Sequence, residues 1–313
     1  MEQHNQTSIK EFIFVGFSSN RGANLCLFAV VLSMYFITLT GNTLIIVAIR
    51  IDPRLSTPKY FFLTNLSFLD ICYTTSVVPQ LLVHFLTSPK TISFNRCMAQ
   101  LCISLTLGSI EFILLAAMAY DRYVAVCYPL HYKVIMNRTV CIQLALASWI
   151  GGFLNALVQT GFTMRLHFCT FNIINHFACE VLGVIKLACS ETFINEIMLM
   201  VAGVIVLLIP CILIMLSYVY IIRAILRIQS SEGRHRAFST CSSHLTVVTF
   251  CYGTAAFAYM NPKTNTSPNQ DKMLAFVYAV VTPMLNPIIY SLRNKEVKGA
   301  LAKAIRKNIP TES

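Results

Sequence analysis

Charge is scarce in this 313-residue sequence: Asp, Glu, Lys and Arg together make up 12% of it, against about 25% in soluble domains. With 56% hydrophobic residues, a soluble chain could not cover its surface with polar groups, which argues against an ordinary cytoplasmic enzyme. The same composition excludes disorder. There is no GxSxG, HExxH, P-loop or dinucleotide fingerprint, so the enzyme classes that carry those motifs have no support and the chain reads as a non-enzyme. No cysteines stand in CxxC or zinc-ligand spacing. No inverted repeat of the transporter kind is found, and no low-complexity linker divides the chain. The first apolar patch, Phe12 to Phe17, is too short for a cleavable signal peptide and lacks a basic flank before it.

What is present is apolar length. Seven long stretches lie at 25–49, 60–86, 98–125, 140–160, 193–222, 238–260 and 272–292. Each reaches the roughly 20 residues needed to cross about 30 Å of hydrocarbon at about 1.5 Å per residue. The expected fold is an all-α membrane protein, a bundle of seven transmembrane helices. Pro79, Pro210, Pro283 and Pro287 fall inside the stretches, which a spanning helix tolerates when neighbours satisfy the freed carbonyls. Sixteen of the 24 Lys and Arg follow spans one, three, five and seven, and eight lie in the other set of loops. The richer set should be cytoplasmic. The net charge of +11 therefore reports topology, not a nucleic-acid partner.

This orientation divides the chain into an extracellular segment 1–24, a seven-span domain 25–292 and a cytoplasmic tail 293–313. Asn5-Gln6-Thr7 is a glycosylation acceptor on the outer side, and Asn265-Thr266-Ser267 is a second one closer to the bilayer. Sequons at Asn65 and Asn137 fall in span two and on the inner side and should be silent. Cys97, Cys169, Cys179 and Cys189 all lie in outer loops, where disulfides persist. Four cysteines allow three pairings. In the tail, Val297, Ala300, Leu301, Ala304 and Ile305 recur at helical spacing opposite Lys and Arg, as in an amphipathic helix lying on the anionic lipid of the inner leaflet.

Two acids lie deep in the spans, Asp70 in span two and Glu111 in span three. A bare carboxylate there costs several kcal/mol, so each is protonated, paired or bound to a cation. The outer half of span three reads Leu101-Cys102-Ile103-Ser104-Leu105, with no acid. A buried ammonium ligand would lack a counter-ion there, so amines are disfavoured. Leu101, Leu105, Gly108 and Phe112 follow at helical spacing with Ser109 beside them. Span five offers Ala202, Gly203 and Val206, span six Tyr252, Ala255 and Tyr259, and span seven Phe276 and Ala279. Such a lining, apolar with a few hydroxyls, suits a small, neutral, mainly hydrophobic volatile molecule. Tyr259 is the expected hydrogen-bond donor to a ligand oxygen.

Local motifs make the identity specific. Span three ends in Met118-Ala119-Tyr120-Asp121-Arg122-Tyr123-Val124-Ala125-Val126-Cys127. Span seven ends in Pro283-Met284-Leu285-Asn286-Pro287-Ile288-Ile289-Tyr290-Ser291-Leu292-Arg293-Asn294. The run from Leu55 to Leu63, Ser217-Tyr218, and Ala237-Phe238-Ser239-Thr240-Cys241-Ser242-Ser243-His244 complete the set. From about Phe12 to Lys307 the chain resembles the odorant receptor family of rhodopsin-like G-protein-coupled receptors. It departs at Lys59, where that family usually has Met, and at Arg236, where Lys is usual.

The resemblance implies a set of roles. Arg122, paired with Asp121 at rest, turns on activation to Tyr218 and the G-protein. Tyr123, His244, Asn286, Pro287 and Tyr290 belong to the same switch, with Pro287 a hinge. Cys97 bonds Cys179, and Cys169 bonds Cys189. A metal site at His176, Cys179 and Glu180 is the competing reading, and it needs a free thiolate. Tyr252 takes the place of the tryptophan at the pocket floor of other rhodopsin-like receptors. Asp70 and Glu111 hold an allosteric sodium ion in the resting state, or else share a hydrogen bond as neutral acids; no other cofactor is implied. The partners are an odorant, a stimulatory G-protein of olfactory type that raises cyclic AMP, and a trafficking chaperone. The site of action is the plasma membrane, in the sensory cilia of olfactory neurons. The alternative is a transporter or channel for a small solute, and two deep acids make a poor polar pathway for one.

Overall fold

The computed structural model describes residues 10–18, 20–169, 172–260, 268–293 and 297–300, apart from the side chains at 236, 240, 257–260, 268–269 and 291–293. Among the described residues seven long helices run in sequence. Spans one to four are Arg21–Ile51, Pro58–Leu86, Phe94–Cys127 and Arg138–Met164; span five is Phe193–Leu226 and span six Ser231–Met260. Span seven consists of Pro268–Phe276, a π-helical turn at Val277–Val281, and Thr282–Arg293. These match the seven apolar stretches of the sequence. Six are long and apolar enough to cross a membrane. Span six is more polar because its inner half carries Glu232, Arg234, His235 and the Ser239–His244 hydroxyl run.

The termini of the helices follow local chemistry. The Asn20 side chain accepts from the Gly22 amide at 2.8 Å and opens span one. Asn137 accepts from the Val140 amide at 3.0 Å and opens span four, the Asn side chain supplying a partner for an orphan N–H. Pro58 sits in the first turn of span two, where its missing N–H costs nothing. Inside span seven, Pro287 cannot donate to the Pro283 carbonyl. The Asn42 side chain of span one donates to that oxygen instead, at 3.2 Å. Close approach makes this bond reachable: a Cβ on Gly41 would lie 2.9 Å from the Pro287 ring. Spans three and four touch as closely at Gly152, where a Cβ would lie 2.9 Å from the Thr106 carbonyl and from the Ile110 amide.

Large apolar side chains cover the outside of the bundle. On span five Val204, Ile205, Leu208, Ile209, Ile212, Leu213 and Leu216 are all exposed, a surface suited to lipid tails. The interior divides into an inner core around Tyr60, Leu114, Tyr218 and Ile221, and an outer core around Phe12, Met98, Leu101 and Ile174. The buried tail residues Val297 and Ala300 join the inner core, so these two face protein, not the leaflet; Leu301, Ala304 and Ile305 lie outside the described residues.

A small sheet closes the outer end. Strand β1 (Glu11–Phe14) pairs antiparallel with β2 (Thr91–Ser93), between spans two and three, and parallel with β3 (Ile173–Ile174), in the long loop after span four. The sequence reading assigned no structure to this patch. Phe12 and Phe14 are buried in the outer end of the bundle.

Candidate functional site

At the inner end, span three delivers Asp121 and Arg122, both buried. The Tyr132 hydroxyl, from the loop after span three, donates to Asp121 Oδ1 at 2.7 Å. Burial, with the Asp121 carboxylate beside it, holds the Tyr132 phenol above its ordinary range, so it stays a donor. Sequence reasoning missed Tyr132. Span five contributes Tyr218, whose hydroxyl donates to His244 Nδ1 at 2.8 Å and lies 3.3 Å from the Cys241 carbonyl. His244 Nε2 lies 3.1 Å from the Leu115 carbonyl, to which it donates. One neutral imidazole thus joins spans three, five and six. Tyr123 is partly buried and meets Tyr128 edge-on and Tyr220 at a tilt. The buried Tyr290 hydroxyl has no hydrogen-bond partner among the described residues.

The deep acids sit one layer further out. Asn286 of span seven donates to both oxygens of Asp70, at 3.1 and 3.0 Å. Glu111 accepts from the Cys251 thiol at 3.1 Å and from the Tyr278 hydroxyl at 2.7 Å. The described hydrogen bonds of the two acids therefore go to different partners, not to each other. Cys251 and Tyr278 were not singled out from sequence. Their signal is positional: each adjoins a residue of the expected pocket or lies between two of them.

The expected ligand residues fall into three neighbouring groups. Phe112, Val206, Tyr252 and Ala255 meet at the outer edge of the inner core. There the Tyr252 hydroxyl donates to the Phe112 carbonyl at 3.0 Å, and Tyr252 and Tyr278 both lie against the Phe112 ring. Leu101 and Leu105 belong to the outer core under β1. Phe276 and Ala279 join Tyr73, Val77 and Phe177 on the side of spans one and two. Gly108 faces the Tyr278 hydroxyl, which would lie 3.4 Å from a Cβ. Ser109 turns to span four, where Asn155 donates to its hydroxyl at 2.9 Å. Ala202 is partly buried and Gly203 borders open space. The Tyr259 side chain lies outside the described residues.

On the outer side, Cys97 and Cys179 form a disulfide with Cα atoms 5.5 Å apart, and Cys169 and Cys189 a second at 6.0 Å. The first consumes the thiolate that a His176–Cys179–Glu180 metal site would need. His176 Nδ1 instead accepts from the Ala178 amide at 3.2 Å. The Asn65 side chain, in the sequon expected to be silent, accepts from Trp149 Nε1 at 3.3 Å. Asn5 and Asn265 lie outside the described residues.

The chain is similar to known proteins along nearly its whole length. The family model described as Olfactory receptor matches residues 31–308. The chain is 53% identical to Olfactory receptor 2F1 of Homo sapiens, over 98% of this chain and 97% of that protein. It is 53% identical to Olfactory receptor-like protein OLF3 of Canis lupus familiaris, over 96% and 95%. It is 49% identical to Olfactory receptor 2K2 of Homo sapiens, over 98% and 97%. These relatives lend no support to a transporter or channel.

Proposed function

The chain belongs to the olfactory receptor family, a multi-pass membrane odorant receptor that couples to G-protein and is not an enzyme; on that premise we propose which residues receive the odorant and pass the signal inward. A small, neutral, mainly hydrophobic volatile molecule binds in the outer half of the bundle, beside Leu105, Gly108, Phe112, Val206, Tyr252, Ala255, Phe276 and Ala279. Leu101, Ser109, Ala202 and Gly203 form the surroundings, and Tyr259 donates a hydrogen bond. The ligand favours the state in which the inner ends of spans five and six stand apart, and only that difference in affinity shifts the population. The opened inner face presents Arg122 to a stimulatory G-protein of olfactory type, which raises cyclic AMP.

The observation that carries this reading is the junction at Phe112. Its ring meets Tyr252 of span six and Tyr278 of span seven. The adjoining Glu111 accepts hydrogen bonds from the same two spans, through Cys251 and Tyr278. Anything that displaces the Phe112 ring is felt at once by the polar layer beneath it. From there His244 and Tyr218 lead to Asp121, Arg122 and Tyr123, with Asn286, Pro287 and Tyr290 completing the switch on span seven.

The residues of the polar layer fit a hard monovalent cation. Asp70 and Glu111 supply carboxylate oxygens, and the buried Asn286 Oδ1 has no hydrogen-bond partner among the described residues. Sodium held by these three would neutralise buried negative charge in the resting state. The receptor works at the plasma membrane of olfactory cilia, reaches it with a chaperone and carries a glycan at Asn5. The test is a screen of volatiles in a cyclic-AMP reporter cell. A response abolished by Arg122→Ala at unchanged surface expression supports the reading; ligand-gated current in a cell without G-protein overturns it.

A further inference from the structure

The N-terminal segment enters the bundle in a way that neither membrane insertion nor the switch accounts for. After β1 the chain turns at Gly16, whose φ is +71°, a left-handed conformation that favours glycine. A Cβ there would lie 2.7 Å from Lys90 Nζ. Two ammonium groups grip this turn. Lys272, at the outer start of span seven and only 4% exposed, donates to the Gly16 carbonyl at 2.8 Å. Lys90 lies 3.3 Å from the Ser18 carbonyl, to which it donates. Among the described residues no carboxylate lies within ion-pair distance of either, so the two charges are spent on holding backbone.

Between those two clamped carbonyls stands Phe17. Its ring stacks on Phe177 of the long outer loop, at 5.2 Å and 22°, and meets Phe276 of span seven edge-on, at 5.7 Å and 82°. Phe177 in turn meets Phe276 at 6.5 Å. An aromatic from the N-terminal segment therefore lies directly on one of the residues assigned to the odorant site.

We propose that Phe17 is a specificity-determining residue of the odorant site, the outer wall that limits ligand length, and that Lys272 is the positioning residue that sets it through the Gly16 carbonyl. This rests on the reading that odorants bind beside Phe276 and Ala279. Two charge-assisted bonds around one aromatic fix its place far more tightly than a surface loop would. A ligand growing toward the outer mouth meets this ring and not water. Removing the ring adds room there without touching the switch.

The test uses the full-length receptor, tagged at its N-terminus to monitor surface expression, in a cyclic-AMP reporter cell. The probes are homologous straight-chain aldehydes, alcohols and esters, scored on the series that drives the wild type. Phe17→Ala should move the best chain length upward by about two carbons, with potency for the longer homologues rising about fourfold per added methylene. Lys272→Met should shift tuning in the same direction, and Lys272→Arg should restore the wild-type optimum. Phe17→Leu, a smaller change, should give an intermediate shift and serves if the alanine variant fails to reach the surface. Ala279→Leu separates the two readings, because a smaller pocket should favour shorter ligands. If Ala279→Leu shortens the optimum while the Phe17 variants leave it unchanged, the wall is refuted and the pocket stands. If neither position alters tuning, the pocket assignment itself fails. A Lys272→Met receptor with wild-type tuning refutes the positioning role.

Discussion

Replacing His244 with phenylalanine removes a side chain that bonds spans three, five and six together near the inner face. Two hydrogen bonds are lost: Tyr218 Oη to Nδ1 at 2.8 Å and Nε2 to the Leu115 carbonyl at 3.1 Å. Each neutral bond is worth about 1 kcal/mol net. The Leu115 carbonyl keeps the backbone partner of its helix, so its share is the smaller. The phenyl ring fills the same space, which keeps the cavity term small. The closed arrangement then loses about 1–2 kcal/mol relative to one with span six moved outward, a factor of about 5–30 in population. Ligand-free cyclic AMP should rise by a factor in that range, normalised to surface receptor. Tyr218→Phe should give a smaller rise, since it leaves the Leu115 bond intact and also removes the hydroxyl that Arg122 is expected to meet on activation. Unchanged basal signal at normal surface expression would refute the claim that this stitch holds the resting state. A loss of odorant response without basal gain would show that the same bonds serve the active state.

Tyr132→Phe takes from Asp121 its 2.7 Å donor; bonds to a charged acceptor are worth about 1.5–3 kcal/mol, and basal cyclic AMP should rise several-fold, adding to His244→Phe if the two act separately. Gly152→Leu forces a side chain against the Ile110 and Thr106 backbone, an overpacking cost of about 1–3 kcal/mol or more. Flow cytometry of the tagged receptor should show its surface level falling sharply, while Gly203→Ala, which meets nothing within 4 Å, leaves it unchanged. Exchange of external sodium for N-methylglucamine should shift odorant potency in the wild type and not in Glu111→Gln; equal potency of the wild type in both media removes the ion from the account.

The seven helices were legible because a bilayer leaves so little choice: about 20 apolar residues per crossing. What the sequence concealed was azimuth. Helical spacing places Ser109 near Leu105 and Phe112, yet a rotation smaller than one residue decides that it faces Asn155 of span four. The partner of Asp121 was hidden for another reason. Tyr132 lies 11 residues along, beyond the end of span three, and only the turn at His131 to Ile135 folds it back. Four-residue β1 was too short to carry a periodic signal, although Phe12 and Phe14 do alternate with Glu11 and Ile13. The sheet that orders it pairs β1 with strands about 80 and 160 residues away, information that no local pattern holds.

The bonds between spans three and six have an order that bears on how the signal travels. Span six meets span three at Tyr252 through the Phe112 carbonyl, at Cys251 through Glu111, and at His244 through the Leu115 carbonyl. The first two lie at the floor of the proposed odorant site. The third lies seven residues nearer the cytoplasm, about 10 Å along the helix. A swing of the inner end of span six can therefore break the His244 bonds while Cys251 and Tyr252 stay in place as the pivot. The odorant needs no long path to the inner face. In the proposed site it has only to alter the preferred angle at a pivot beside it, and the length of span six beyond that point turns a small rotation into an opening for the G-protein.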